Sequence, residues 1–412
     1  MDVNDRPWFK NYDPGTPYTL KPYPEITLLD VIGETAREKP DHSVLIFKGA
    51  RMSYAELERL TDAFGAALVA HGIQKGDRVA LLLPNSPQAV IAQIGAWKAG
   101  AIVAPLNAIY TERELEYALN EISAETVVVL NPFYNKVKSL QPRTRVKRVI
   151  ATHIKEYLPP LLRLLFTLAK EKKEGYCITY GNMAMNTSFV ARWTMAVVPN
   201  PRDINDLVET IQKVHPSCLH GVPTLFIALL NHPAVKAGKV DIKSMKICWS
   251  GAAPLMAETK HRFETLTGGW LLEAYGMTET MLAAVVCPVH GKYKEGSTGL
   301  PLPDVDVKIV DVETGERELG SGQVGEVIIQ APQIMVGYWE RPTETHNMIR
   351  NGWVYTGDLG YLDEDGYLFI VDRKKDLIKP GGFQVWPREV EEVIATHPAV
   401  AEVSVAGVSP AR

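Results

Sequence analysis

Apolar residues at Ala55, Leu57, Leu60, Ala63, Phe64, Ala67 and Leu68 recur at helical spacing, so residues 54–71 predict an amphipathic helix. Gly76-Asp77 then turns the chain into Arg78–Leu83, a short apolar run that predicts a buried strand. A helix ending near Trp97–Gly100, a strand over 101–104, a helix over 111–120 and a strand over 126–130 repeat the rhythm. Helices alternating with continuously apolar strands predict a parallel sheet covered on both faces. Sheets of that kind bind ligands beyond the carboxyl ends of their strands.

The alternation resumes at about 203–286. It predicts a helix over 203–214 that leads to Cys218–Thr224 and then another helix, and a strand at Met245–Trp249 that ends at Ser250-Gly251-Ala252-Ala253-Pro254. From 296 to 370 the pattern changes to short strands separated by Gly and Pro turns, which predicts a small antiparallel subdomain. Beyond Arg373 a last unit is expected: a strand at Phe383–Val385, a helix from Pro387 to Thr396 and a strand from Val400 to Val408. Residues 1–27 are rich in Pro and Tyr and predict an extended arm. The expected organisation is therefore an arm (1–27), an α/β body (28–295), an antiparallel subdomain (296–372) and a C-terminal segment (373–412). The fold class is α/β, a large body of parallel sheets with flanking helices followed by a small α+β unit.

Composition narrows the function classes. The 412 residues suffice for a large core, and 46% hydrophobic with 22% charged residues is ordinary for a globular protein. A net charge of −4 gives no electrostatic case for nucleic acid. Cys177, Cys218, Cys248 and Cys287 are scattered without a CxxC, which fits a reducing compartment better than a disulfide scaffold or zinc site. The start, Met1–Pro7, does not resemble a secretory signal, and no apolar run is long enough to span a bilayer. A cytoplasmic location is expected. Residues 157–170 are apolar with basic punctuation and leave two readings open, a helix packed on the body or a peripheral contact at the inner face of a membrane.

Three motifs carry the chemistry, in this order: Glu273-Ala274-Tyr275-Gly276-Met277-Thr278-Glu279-Thr280, then Tyr355-Thr356-Gly357-Asp358, then Asp372-Arg373-Lys374-Lys375-Asp376-Leu377-Ile378-Lys379. Together they resemble the AMP-forming acyl-CoA synthetases of the adenylating superfamily, and most of all the bacterial long-chain fatty-acid–CoA ligases. Met52–Leu57, Lys98-Ala99-Gly100 with Pro105-Leu106-Asn107, Gly325-Glu326-Val327 and Gly337-Tyr338-Trp339 extend the resemblance over nearly the whole chain.

The resemblance has three gaps. The family cradles ATP phosphates in a Ser/Thr/Gly-rich loop ending in Lys-Gly, but here Gly175–Met183, which resembles the segment after that loop, is preceded by Lys170-Glu171-Lys172-Lys173-Glu174. Arg192–Pro199 resembles a junction of two distant family segments, omitting a stretch that supplies an aromatic or His wall of the acyl site. The family's late lid lysine would lie beyond Arg412, which reads as a truncated lid. Thr265–Gly269 and Gly296–Gly299 do not replace the loop; the first reads as a helix end and the second as a turn.

The resemblance implies ATP, Mg2+ and coenzyme A as reactants beside a fatty acid, and it implies site roles. Glu279 would ligate Mg2+, and Thr278 would offer its hydroxyl to the α-phosphate. Tyr275 would present a face to adenine, with Gly276 allowing close approach. Glu273, Ala274 and Ala253 would line the nucleotide, and Gly251, Ala252 and Gly276 the acyl chain. Asp358 would accept from the ribose hydroxyls, with Arg373 adding donors. Lys375 resembles the lid hinge, and Lys379 and Gln384 resemble lid positions that reach the site. Three readings follow: an ATP-dependent fatty acyl-CoA ligase, an impaired remnant that binds AMP or an acyl group, or a non-functional fragment. The missing cradle implies little or no acyl-adenylate from this chain, and the gaps imply lower solubility than an intact relative.

Overall fold

The structure is a computed structural model that describes residues 6–107, 109–163, 188–375, 378, 385, 387–395, 400, 403 and 405–407. The chain divides into two compact units, one of residues 24–216 and 228–244, the other of residues 1–23, 217–227 and 245–412.

The described residues of the first unit form the strands β1 (Ser43–Phe47), β2 (Ala50–Ser53), β3 (Arg78–Leu82), β4 (Ile102–Pro105), β5 (Thr126–Leu130), β6 (Arg148–Thr152) and β7 (Met195–Ala196). The expected parallel sheet is present in the order β4-β3-β5-β6, with Val79 beside both Val103 and Thr126. Every residue of β5 is buried, as its uninterrupted apolar run requires. Helices Tyr54–Ala70, Pro87–Lys98 and Glu112–Glu121 fall where the sequence rhythm places them. Their starts are written in the sequence: Ser53 accepts from the Glu56 N–H, and Thr111 forms a reciprocal box with Glu114. The first two of these helices approach closely because Gly65 and Gly95 face each other. A Cβ on Gly65 would lie 2.9 Å from the Gly95 carbonyl oxygen. The junction at Arg192–Pro199 contributes β7, which pairs parallel to β1 through Leu45–Met195 and Ile46–Ala196.

The second unit holds β8 (Cys218–Gly221), β9 (Ile247–Ser250), β10 (Trp270–Tyr275), β11 (Val285–Val286), β12 (Leu300–Pro301), β13 (Asp306–Val310), β14 (Gly325–Gln330), β15 (Ile349–Arg350), β16 (Trp353–Leu362) and β17 (Leu368–Arg373). β8, β9 and β10 run parallel, and β11 and β12 extend their sheet in antiparallel sense. The Gly/Pro-punctuated stretch forms the expected antiparallel sheet, ordered β13-β14-β16-β15 with β17 also on β16. Its core is Val305, Val307, Ile309, Val327, Ile329 and Leu368. Each such fully buried aliphatic side chain contributes about 1.5–3 kcal/mol.

Several expectations change. The arm is not extended throughout: Pro7–Asn11 coils into a 3-10 turn that buries Trp8 and Phe9 with Leu300 and Tyr367. Arg6 pairs with Asp306 at 2.6 Å, and Tyr12 donates to the Pro301 carbonyl at 2.7 Å. Aromatic burial thus overrides the extended bias of the prolines. The helix at Pro387–Ala395 is present, but the described residues among 400–407 carry no strand. There the Val405 N–H is taken by the Glu391 carboxylate at 2.7 Å instead of a ladder partner. Gly268, in left-handed conformation, ends the helix Ala257–Thr267, and Ser297 is buried against the Leu368 carbonyl, so neither rejected Gly-rich stretch forms a cradle. Among the described residues no helix is long and apolar enough to cross a membrane. Of residues 157–170 only 157–163 are described, with Leu161 exposed; the remainder, Gly175–Met183 and Cys177 lie outside the described residues.

Candidate active site

All described candidate residues belong to the second unit. Because β8, β9 and β10 are parallel, their carboxyl ends share one edge of the sheet, where such sheets bind ligands. That edge carries Gly251-Ala252-Ala253 after β9 and Gly276–Thr280 after β10. The Gly251 N–H donates to the Gly221 carbonyl at 3.1 Å, and a Cβ at Gly251 would stand 3.2 Å from the Ala274 carbonyl oxygen. Ala252 and Ala253 are exposed in the loop, Ala252 with φ of 67°. Glu273 is buried on β10, opposite Ser250.

Tyr275 ends β10, and Asp358 sits within β16 directly across from Arg373 of β17. The Tyr275 hydroxyl donates to Asp358 Oδ2 at 2.7 Å, and Arg373 Nε lies 3.2 Å from Oδ1. Asp358 is 8% exposed, whereas the Arg373 side chain is largely in solvent. Burial raises the Asp358 pKa, opposed by the Tyr275 hydrogen bond and the Arg373 charge. Burial also holds the Tyr275 phenol well above its ordinary value, so it remains a donor. The backbone around Asp358 is fixed in turn: its N–H donates to Thr356 Oγ1, which donates to the Val327 carbonyl at 2.8 Å. A carboxylate has about four lone-pair sites, so two donors leave capacity for a further pair.

Gly276 links β10 to the 3-10 turn Thr278–Thr280. A Cβ there would lie 1.8 Å from the Leu282 carbonyl oxygen, so the chain's own loop demands glycine at this point. In the turn Thr278 is exposed and Thr280 buried, with Thr280 Oγ1 accepting from the Met277 N–H at 3.0 Å. Glu279 is half-buried, and its Oε1 accepts a 2.5 Å hydrogen bond from the Tyr338 hydroxyl. Lys375 is exposed in the turn after β17; Lys379 and Gln384 lie outside the described residues.

Tyr338 was legible in the sequence only as part of a structural motif, because its partner stands 59 positions away. His220 was missed as well. On β8 it packs edge-on to Trp249, with centroids 5.2 Å apart; burial lowers its pKa, and among the described residues its buried Nε2 has no hydrogen-bond partner. Nothing in an isolated Cys-Leu-His-Gly run signals that.

Among the described residues no group of three His, Cys, Asp or Glu side chains could hold a metal alone. One carboxylate beside an exposed hydroxyl does fit Mg2+ that arrives with nucleotide phosphates, since this ion keeps several waters and takes few protein ligands.

Comparison with known proteins gives the same direction. The family profile described as AMP-binding enzyme matches residues 32–173 and 176–339. A long-chain-fatty-acid–CoA ligase of Bacillus subtilis is 33% identical over 491 aligned residues, covering 98% of this chain and 87% of that protein. An ATP-bound MatB from Rhodopseudomonas palustris superposes with a TM-score of 0.78 at 27% identity, over 92% of this chain and 86% of the other. A long-chain-fatty-acid-CoA ligase from Archaeoglobus fulgidus shares the fold, with a TM-score of 0.76 at 24% identity over 97% and 91% of the two chains. The 491-residue alignment is longer than the 412-residue chain, so it closes only with gaps on this chain's side.

Proposed function

The chain belongs to the AMP-binding enzyme family, and from that premise we propose that it activates a long-chain fatty acid with ATP and transfers the acyl group to coenzyme A. The fatty-acid carboxylate attacks the α-phosphorus of ATP and expels pyrophosphate, leaving an acyl-adenylate. The CoA thiolate then attacks the acyl carbonyl and expels AMP. The observation that carries the reading is the Tyr275–Asp358–Arg373 network at the carboxyl edge of β8–β10, in a chain 33% identical to a long-chain-fatty-acid–CoA ligase.

In this reading Asp358 accepts from the ribose diol with its remaining lone pairs, and Arg373 adds a donor at the solvent side. Tyr275 orients Asp358 through its hydroxyl while its ring faces adenine. Glu273, Ala274 and Ala253 line the nucleotide; Gly251, Ala252 and Gly276 leave room for the acyl chain. Thr278 donates to the α-phosphate, and Glu279 is the carboxylate that meets Mg2+. Bound Mg2+ supplies charge neutralisation, allowing two anions to meet. Residues 373–412 act as the lid, with Lys375 at its hinge; for Lys379 and Gln384, outside the described residues, the family resemblance implies lid roles.

A second reading has its own support. The family match breaks between residues 173 and 176, where the sequence lacks a phosphate cradle, and the alignment with the Bacillus protein needs gaps in this chain. Losing one charge-stabilising donor costs about 10²–10³ in rate, and a whole cradle more. That reading is a nucleotide-binding protein with little adenylation. Pyrophosphate exchange into ATP, driven by a long-chain fatty acid, separates the two. Exchange that disappears in Glu279→Ala establishes the ligase; absence of exchange with retained AMP binding establishes the binding protein, and absence of both sinks the family-based proposal for this chain.

A further inference from the structure

Tyr338 has none of the roles above, yet among the described residues its hydroxyl makes the one side-chain hydrogen bond to the Glu279 carboxylate. It lies in the segment between β14 and β15, and that segment grips Glu279 twice. The Met335 N–H donates to the Glu279 backbone carbonyl at 2.8 Å, and the Tyr338 hydroxyl donates to Oε1 at 2.5 Å. The tyrosine is itself held: its N–H donates to Thr345 Oγ1 at 2.9 Å, and that hydroxyl donates to the Arg341 carbonyl at 2.8 Å. Among the described residues Oε2 of Glu279 accepts from no protein donor.

We infer that Tyr338 is a positioning residue for the cation-facing carboxylate: it occupies one oxygen of Glu279, locks the side chain, and leaves the other oxygen for a divalent ion that arrives with a nucleotide. The inference rests on the reading of Glu279 given above. Its chemistry is the general one of ligating carboxylates, which are held by hydrogen bonds from residues that never touch the metal. The Tyr338 phenol is suited to the task because its hydroxyl reaches Oε1 while its backbone is tied to Thr345. A lysine at this place would add a positive charge that competes with the cation; a neutral phenol does not. The exposed Thr278 cannot perform the same service, since the described contacts give it no grip on the Glu279 side chain.

The test uses the full chain, with Mn2+ and ATP as the probe and the EPR signal of bound Mn2+ as the readout. Tyr338→Phe removes one oxygen and keeps the ring. We expect it to weaken Mn2+·ATP binding about tenfold, the low end for loss of a carboxylate-orienting partner, and to leave metal-free AMP binding unchanged. Thr345→Val loosens the tyrosine backbone and should weaken Mn2+·ATP in the same direction by less, which keeps the test alive if the first variant fails to fold. Glu279→Gln examines the parent reading separately and should abolish the Mn2+-dependent gain. If Glu279→Gln loses that gain while both other variants bind Mn2+·ATP unchanged or more tightly, the role of Tyr338 is overturned and that of Glu279 stands. If Tyr338→Phe weakens metal-free AMP equally, the contact is only architectural and the inference falls. A native chain that binds ATP no better with Mn2+ than without removes both.

Discussion

The two halves of the candidate site are built by different means. On the nucleoside side, Asp358 and Arg373 are direct partners across β16 and β17, and Tyr275 reaches Asp358 from the end of β10. Sheet register sets these positions, so donors and acceptor meet before any ligand arrives. On the phosphate side, Thr278 and Glu279 sit in a single 3-10 turn that leaves through Met281 and Leu282, both with positive φ. One tyrosine hydroxyl holds the carboxylate there. A pre-paired half can bind without help, whereas a half resting on one turn depends on what the ligand and its cation bring. On the proposed assignment of the site, the contrast makes nucleotide recognition and phosphate chemistry separable properties, and the variants below test that separation.

The largest effect should come from Gly276→Ala, which strikes the joint between the halves. Its Cβ would meet the Leu282 carbonyl at 1.8 Å, and the loop can relieve that only by moving. We expect a loss of about 3 kcal/mol in thermal or denaturant unfolding, at the upper end for overpacking, together with loss of AMP binding. A variant that melts like the native chain would show that the two segments are not so joined.

Asp358→Asn comes next and addresses the nucleoside half alone. Hydrogen bonds to a charged group contribute about 1.5–3 kcal/mol, so AMP affinity measured by calorimetry should fall about tenfold or more. The pH dependence sharpens the point. Burial raises the Asp358 pKa above its ordinary 3.8, while the diol needs an ionised acceptor. AMP affinity in the native chain should therefore fall on acidification at a pH above 3.8, and the asparagine variant should lack that titration. Stability runs the other way. The Asp358 contribution is fully present below its unfolded pKa and is lost as pH rises through the raised folded value. Parallel pH trends for binding and stability would contradict this assignment.

Tyr275→Phe should have the smallest effect. It removes a single donor from Asp358 and costs about 1 kcal/mol of stability, with a matching several-fold loss in AMP affinity. It should leave the Mn2+-dependent part of ATP binding untouched, since that belongs to the other half. If the manganese signal shifts instead, the halves are coupled and the comparison fails.

Much of this was legible in the chain itself. Apolar spacing and apolar runs located the helices over 54–71 and 111–120 and the strands β3 and β5, because burial is patterned locally. Motif order brought out Glu273–Thr280, Asp358 and Arg373 as one site. The same reading passed over Tyr338 and His220, whose significance depends on partners in other elements. It gave Trp8 and Phe9 to an extended arm because prolines dominate that stretch, while the aromatic surface that covers them belongs to residues near 300 and 367. It also gave a strand to 400–408, whose described residues carry none; there the Glu391 carboxylate accepts from the Val405 N–H.

By itself the sequence determined what is local or ordered along the chain: the α/β alternation, the turn to antiparallel strands, the sequence of nucleotide motifs and hence the family. Only the tertiary structure decided which side chains share those motifs' work. Asp358 meets a hydroxyl 83 positions earlier, and Glu279 meets one 59 positions later. Such pairings are fixed by strand register and loop packing, which a one-residue slip would undo without altering a single local pattern.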